Sequence, residues 1–253
     1  MPNLRGFNFA AQGGGPTWRG NEPGGLTQIG VDQPFNSLPS LNWSIQGSGA
    51  AVVSDGSGPQ SPGNVFVVTW PTGTAGGNGV GQAFRALSAS YDTFYICCWQ
   101  KFSSNWQGGT TPAGDGLNAS KIMYPFVAGS NRFILEARAI SNGPLLVSIG
   151  LQNTTVPSGS TFTTSASAFT RGAWDLVEVI VQGNTSGNAD GFVKVFLNGT
   201  LVVQKLGIQW TAGAAQITDQ LSLDPVWGSA AWSSLCCLSC FCWANYDRLK
   251  PLK

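Results

Sequence analysis

Histidine is absent from all 253 residues. That removes the commonest general base, the commonest zinc ligand and every Ser-His or Cys-His nucleophile pair. Charge is scarce too: Asp, Glu, Lys and Arg together make up 10% of the chain, and the net charge is +1. An ordinary soluble domain carries roughly 25%. Such a balance leaves no electrostatic footprint for nucleic acid. Glutamate stands only at Glu22, Glu136 and Glu178, and there are 2 methionines, so few strong helix formers remain. The longest apolar run, Leu235–Ala244, is about half a membrane span. Met1–Gly30 lacks the basic start and apolar core of a secretory signal. A protein outside the membrane, without an obvious export signal, is therefore expected; its location beyond that stays open.

Hydrophobic residues make up 42%, with 34 glycines and 14 prolines. The chain is long enough and apolar enough to bury a core. Residues 1–25 read as a Gly/Pro-rich arm, a candidate contact for a neighbouring subunit, and 26–253 as one domain. Short runs rich in Val, Ile, Phe, Trp and Thr predict strands near Ala51–Ser54, Val65–Trp70, Gln82–Leu87, Thr93–Phe102, Lys121–Phe126, Arg132–Ile140 and Leu145–Gln152. Further strands are predicted near Trp174–Gln182, Gly191–Asn198, Thr200–Gly207, Gln216–Leu223 and Leu238–Leu249. Clusters of Gly, Pro, Asn and Ser separate them, among them Pro157–Ser167. Asn198-Gly199 between two apolar runs signals a hairpin, because a type I′ turn needs positive φ twice. This spacing predicts an all-β sandwich or jelly roll.

Period-two alternation sorts the strand faces. Phe133, Leu135 and Ala137 oppose Ile134, Glu136 and Arg138. Val177, Val179 and Val181 oppose Glu178 and Gln182. Val147, Ile149 and Leu151 oppose Ser148, Gly150 and Gln152. Each polar face is expected to be solvent surface or the lining of a groove. Trp99, Lys101, Lys121, Glu136 and Arg138 would form one polar-aromatic stripe if their strands align, with Gln152 on a neighbouring strand. Sugars bind by stacking on aromatics and by planar donor–acceptor pairs, and Arg matches a carboxylate bidentately. The plainer alternative is a solvated face, with Glu136 pairing with a lysine such as Lys101 or Lys121.

The runs YDTFYICCWQKFSSNWQGG, SKIMYPFVAGSNRFILEARA and RGAWDLVEVIVQGNTSGNADGFVKVFLNGTLVV resemble concanavalin A-like jelly rolls, in particular polysaccharide-lyase-like proteins. Lys101-Phe102, Lys121, Trp174 with Glu178, and Asp190-Gly191 with Asn198-Gly199 carry the likeness. The resemblance implies a β-sandwich of two antiparallel sheets with a glycan groove across one of them. For a lyase it implies Lys121 as the base and Arg138 as the clamp on a uronate carboxylate. Tyr124 has the opposite parity from Lys121 and is expected in the core unless a bulge intervenes. The paired carboxylates that glycoside hydrolysis requires are missing from the Glu136 and Glu178 strands.

The six cysteines, Cys97, Cys98, Cys236, Cys237, Cys240 and Cys242, read as buried thiols, as disulfides, or as a zinc cluster, although zinc knuckles usually lie on turns and a strand puts Cys237 on the face opposite Cys240 and Cys242. Cys97 and Cys98 must face opposite sides of their strand. The greasy Leu238–Leu249 run is a second candidate contact, either in a homo-oligomer or in a virion lattice. Loop Asn184–Asp190 offers oxygen ligands for a structural calcium, but without the bidentate Glu of an EF-hand; a plain turn is the alternative. No other cofactor is expected. Three functions follow: a non-catalytic carbohydrate-recognition or coat module, plausibly displayed on a phage or other assembly; a polysaccharide lyase acting on uronate polymers by β-elimination; and a structural virion decoration protein.

Overall fold

The computed structural model describes residues 44–55, 57, 64–70, 79–108, 117–155, 162–223 and 244–246. The 1–25 arm, the greasy run except 244–246, and Cys236, Cys237, Cys240 and Cys242 lie outside the described residues.

The chain forms an antiparallel β-sandwich. Its strands are β1 (Ser44–Gln46), β2 (Ala50–Ser54), β3 (Asn64–Val68), β4 (Gln82–Tyr91), β5 (Thr93–Lys101), β6 (Asn118–Val127), β7 (Ser130–Asn131) and β8 (Phe133–Ala139). They continue with β9 (Leu145–Leu151), β10 (Phe162–Phe169), β11 (Trp174–Gln182), β12 (Gly191–Leu197), β13 (Thr200–Ile208), β14 (Thr218–Leu223) and β15 (Ala244–Tyr246). One sheet has eight strands in the order β1-β4-β14-β6-β8-β9-β10, with β7 paired to β6. The second has five, β13-β12-β11-β5-β15, and β2-β3 form a two-stranded ribbon. No helix occurs among the described residues, so none is long and apolar enough to cross a membrane.

The core lies between the two large sheets. Phe133, Leu135 and Ala137 of β8 and Val147, Ile149 and Leu151 of β9 meet Phe94, Ile96, Val177, Val179 and Val181 of the other sheet. Phe94 stacks on Phe133 with ring centroids 6.0 Å apart, tying one sheet to the other. These are the inward faces that the alternation predicted. Cys98 joins this core while Cys97 packs on the opposite side of β5, as adjacent strand residues must.

The β12–β13 hairpin turns at Asn198 (φ 51°) and Gly199 (φ 80°). Asn198 tolerates the left-handed conformation because its side chain is used: Oδ1 accepts from Leu176 N and Nδ2 donates to Asp175 Oδ1, both at 2.8 Å.

Three expectations change. Residues 162–169 belong to strand β10 rather than to a separator. FTTSASAF lacks the large alternating apolar side chains that mark a strand, and a register break between Thr164 and Ala168, with Ser165 Oγ bonded to Ser167 N, hides it further. The short strands β1 and β7 carry too few residues for any periodicity to show. Of the two alternatives for the polar faces of β8, β9 and β11, open solvent surface does not hold: Glu136, Arg138, Ser148 and Glu178 are all buried. Alternation tells which side faces away from the core, not whether that side is wet.

Candidate functional site

The outer face of the eight-stranded sheet gathers most of the predicted residues. Lys121 of β6 is the Cα partner of Glu136, Glu136 of Ser148, and Ser148 of Thr164. Directly paired residues share a face, so a polar row crosses four strands. Arg138 stands on the same face of β8, two residues from Glu136. Its Nη1 donates to Glu136 Oε2 at 3.0 Å, with the two side chains 3% and 2% exposed. Ser148 Oγ lies 3.0 Å from Thr164 Oγ1.

A bulge in β6 completes the face. The register slips between Lys121↔Glu136 and Met123↔Leu135, so Ile122 has no partner on β8. Ile122 and Met123 both enter the core cluster. One extra residue reverses parity downstream, so Tyr124 emerges on the side of Lys121, and Lys121 Nζ sits 5.8 Å from its ring centroid. Tyr124 therefore leaves the core-facing position that plain parity assigns to it. Its neighbours confirm the side. Tyr124 is opposite Ser222 and Ser222 is opposite Phe84, whereas Leu221 of the same strand lies in the core. Phe126 follows on the same face, with its ring centroid 5.8 Å from that of Tyr124. Pro125, which has no N–H to give a ladder, stands where β6 has left β8, a position that suits proline.

The single stripe does not form. Trp99 and Lys101 lie on β5, in the other sheet, and Trp99 packs with Tyr95, Cys97, Leu176 and Ile180 on that sheet's outer face. Strand order is the reason: β5 pairs with β11 and β15, β6 with β14 and β8. Lys101 ties the β2–β3 ribbon to the sandwich. Its Nζ is 3.2 Å from Asp55 Oδ2 and 5.4 Å from the Trp174 ring centroid, while Trp174 Nε1 donates to Ser57 Oγ at 3.1 Å. Hydrogen bonds from the Ser57 hydroxyl first, then from Ser57 N and Lys101, hold the Asp55 carboxyl below its ordinary range. Glu136 pairs with Arg138 rather than with either lysine.

Gln152 lies at one end of the outer face of the eight-stranded sheet, where its Oε1 accepts from Asn131 Nδ2. Asn131 is in turn the partner of Phe126. Arg132, which the sequence reading passed over, belongs to this cluster: its carbonyl accepts from Gln152 N and its Nη1 donates to Asn153 O. Arg132 opens the predicted strand Arg132–Ile140, one residue ahead of the alternation that begins at Phe133.

Loop Asn184–Asp190 is bonded both within itself and to the 210–211 segment. Asn184 Oδ1 accepts from Trp210 N and Thr211 N, and Asp190 accepts from Thr185 N and Thr185 Oγ1. That is a turn's bonding. Among the described residues no three His, Cys, Asp or Glu side chains gather into a metal-holding group.

No protein-family model and no curated protein matches the sequence. Solved structures do match in fold. A variant of alginate lyase Aly36B in complex with alginate trisaccharide is 16% identical, covering 87% of this chain and 98% of that one, with a TM-score of 0.58. Alginate lyase vAL-1 from Chlorella virus is 12% identical, covering 82% and 93%, with a TM-score of 0.57. Endo-β-1,4-glucuronan lyase from the fungus Trichoderma reesei is 10% identical, covering 88% and 94%, with a TM-score of 0.54. The chain shares the fold of these structures, an antiparallel jelly-roll sandwich. A shared fold does not transfer an activity.

Proposed function

We propose that the outer face of the eight-stranded sheet recognises a uronate-containing polysaccharide. The observation that carries this reading is the Ile122 bulge. It sets an ammonium, Lys121, beside Tyr124 and Phe126 on a face whose floor is lined with hydroxyls. Lys121 has no carboxylate partner among the described residues, because Glu136 is held by Arg138. A cation, aromatic rings and hydroxyls together suit an acidic sugar chain. The neighbours in fold support the class of ligand, since their names are those of alginate and glucuronan lyases.

The same bulge favours a second reading, β-elimination. Lys121 Nζ would take the proton next to the uronate carboxylate. The electron pair left behind would form the ring double bond as the glycosidic C–O bond breaks, and Tyr124 O–H would protonate the departing oxygen. Arg138, which the resemblance makes the carboxylate clamp, already donates to Glu136 through Nη1.

One experiment separates the readings. Titration calorimetry with oligouronates, run beside ultraviolet detection of unsaturated product, tests wild type, Lys121→Ala and Tyr124→Phe. Recognition predicts binding that weakens about tenfold in Lys121→Ala and no new absorbance. Elimination predicts absorbance that disappears in both variants. Absence of binding and product across a panel of uronate polymers overturns both.

A further inference from the structure

We infer that Arg132, with Gln152, Asn131 and Phe126, forms a separate subsite that takes the carboxylate of one sugar in an acidic chain. This rests on the reading of the sheet face as a polysaccharide surface and names the group that recognises the acid. Two arginines stand near that face, and they differ in what holds them. Arg138 is buried and paired with Glu136. Arg132 is half-buried, and its guanidinium's one hydrogen bond to a described residue is to a neutral acceptor, Asn153 O. Its Nε is enclosed without a hydrogen-bond partner. A guanidinium supplied with a single carbonyl keeps donors in hand, and a carboxylate is the partner that matches its planar fork.

The surroundings are built for a sugar. Asn131 Nδ2 donates to Gln152 Oε1, and Asn153 Nδ2 donates to Asn131 O at 2.9 Å, so the amides hold one another in place. Gln152 Nε2 donates to no described residue and stays available for a hydroxyl. Phe126, half-buried and opposite Asn131, supplies a ring. Arg132 lies four positions along the chain from Glu136, the partner of Lys121, which is about 13 Å at the rise of a strand. Lys121 and Arg132 would therefore address different sugars of one chain. Neither has a carboxylate partner among the described residues, so the face offers two cations to a polyanion.

The test uses an alginate oligosaccharide and its carboxyl-reduced counterpart against wild type, Arg132→Gln and Gln152→Ala. Arg132→Gln should weaken binding of the acid about tenfold or more and change binding of the reduced chain less than about twofold. Gln152→Ala should weaken both probes alike, since a hydroxyl contact does not depend on the acid. If Arg132→Gln does not fold, Arg132→Lys decides the point. It keeps the charge and loses the fork, so preference for the acid over the reduced chain should fall if Arg132 takes the carboxylate. Unchanged preference in the arginine variant, with wild type binding the acid, overturns the assignment of Arg132 alone. Wild type that binds neither probe overturns the polysaccharide reading beneath it.

Discussion

The two sheets present outer faces of opposite character, although both strands at issue alternate in the same way. On the five-stranded sheet Tyr95, Cys97, Leu176 and Ile180 form a second apolar cluster, with Trp99, Phe192 and Phe196 packed on it. On the eight-stranded sheet the corresponding positions are Lys121, Glu136, Arg138, Ser148 and Ser222. Each face buries one glutamate and treats it differently. Glu136 is held by the guanidinium of Arg138. Glu178, 0% exposed, accepts from the phenol of Tyr95 at 2.7 Å. A carboxylate matched by a cation leaves the rest of its face free to carry further charge. Glu178 sits where the surroundings are greasy, and burial, then the neighbouring Cys97 and Glu178, push the Tyr95 hydroxyl far above its ordinary pKa. The contrast puts charge and hydroxyls on one sheet and apolar packing on the other.

The largest expected effect breaks the contrast from the charged side. Arg138→Ala should cost about 3–5 kcal/mol, because it removes the cation paired with a buried carboxylate. Replacing both partners, Glu136→Leu with Arg138→Met, should recover most of that loss, since a well-packed apolar pair can match a buried ion pair. Chemical denaturation of the single and double variants checks this. A double variant as unstable as the single one would show that the pair holds more of the fold than itself.

Next in size is Tyr95→Phe, which removes the donor that Glu178 uses. About 1–3 kcal/mol should be lost. The pH dependence has a definite sign. The folded protein holds the Tyr95 proton more tightly than the unfolded chain, whose tyrosine titrates near 10. The stabilisation is therefore complete below about pH 10 and is lost as pH rises beyond it. Alkaline unfolding followed by circular dichroism should show a steeper loss in wild type than in Tyr95→Phe. Equal slopes would remove Tyr95 from the alkaline transition.

These two glutamates also show what could be read without coordinates. Their strands, their parity and the apolar residues opposite them follow from local alternation, and β11 runs from Trp174 to Gln182 in both readings. The Asn198-Gly199 turn is legible for the same reason: its signal lies in adjacent residues. The grouping of Trp99 with Lys121 was not legible, because it depends on which strands pair over long stretches of chain. The face of Tyr124 turned on whether a bulge intervenes, and one residue of bulge decides it. Pro125 was the available sign, since proline inside a strand marks an edge or an irregularity. Arg132 fell at an element boundary, where periodicity says nothing. The buried pair of Glu136 with Arg138 could be drawn as neighbours on one face, but their burial could not.

The smallest expected effect sharpens the contrast most, and it compares two lysines. Lys101 and Lys121 each lie beside an aromatic ring, at 5.4 Å from Trp174 and 5.8 Å from Tyr124. Lys101 is also paired with Asp55, in a cluster that fixes the β2–β3 ribbon. Lys101→Ala should lower stability by about 1 kcal/mol and change oligouronate affinity by less than about twofold. Lys121→Ala should do the reverse, leaving stability within about 0.5 kcal/mol while weakening the ligand. If both lysines shift affinity equally, the ligand responds to the charge of the whole protein and not to a site on one sheet. Raising the salt would then weaken both variants and wild type in parallel, because long-range attraction is screened while a contact is screened less. A response confined to Lys121 ties the ligand to the bulged strand, where the ammonium has no carboxylate partner among the described residues.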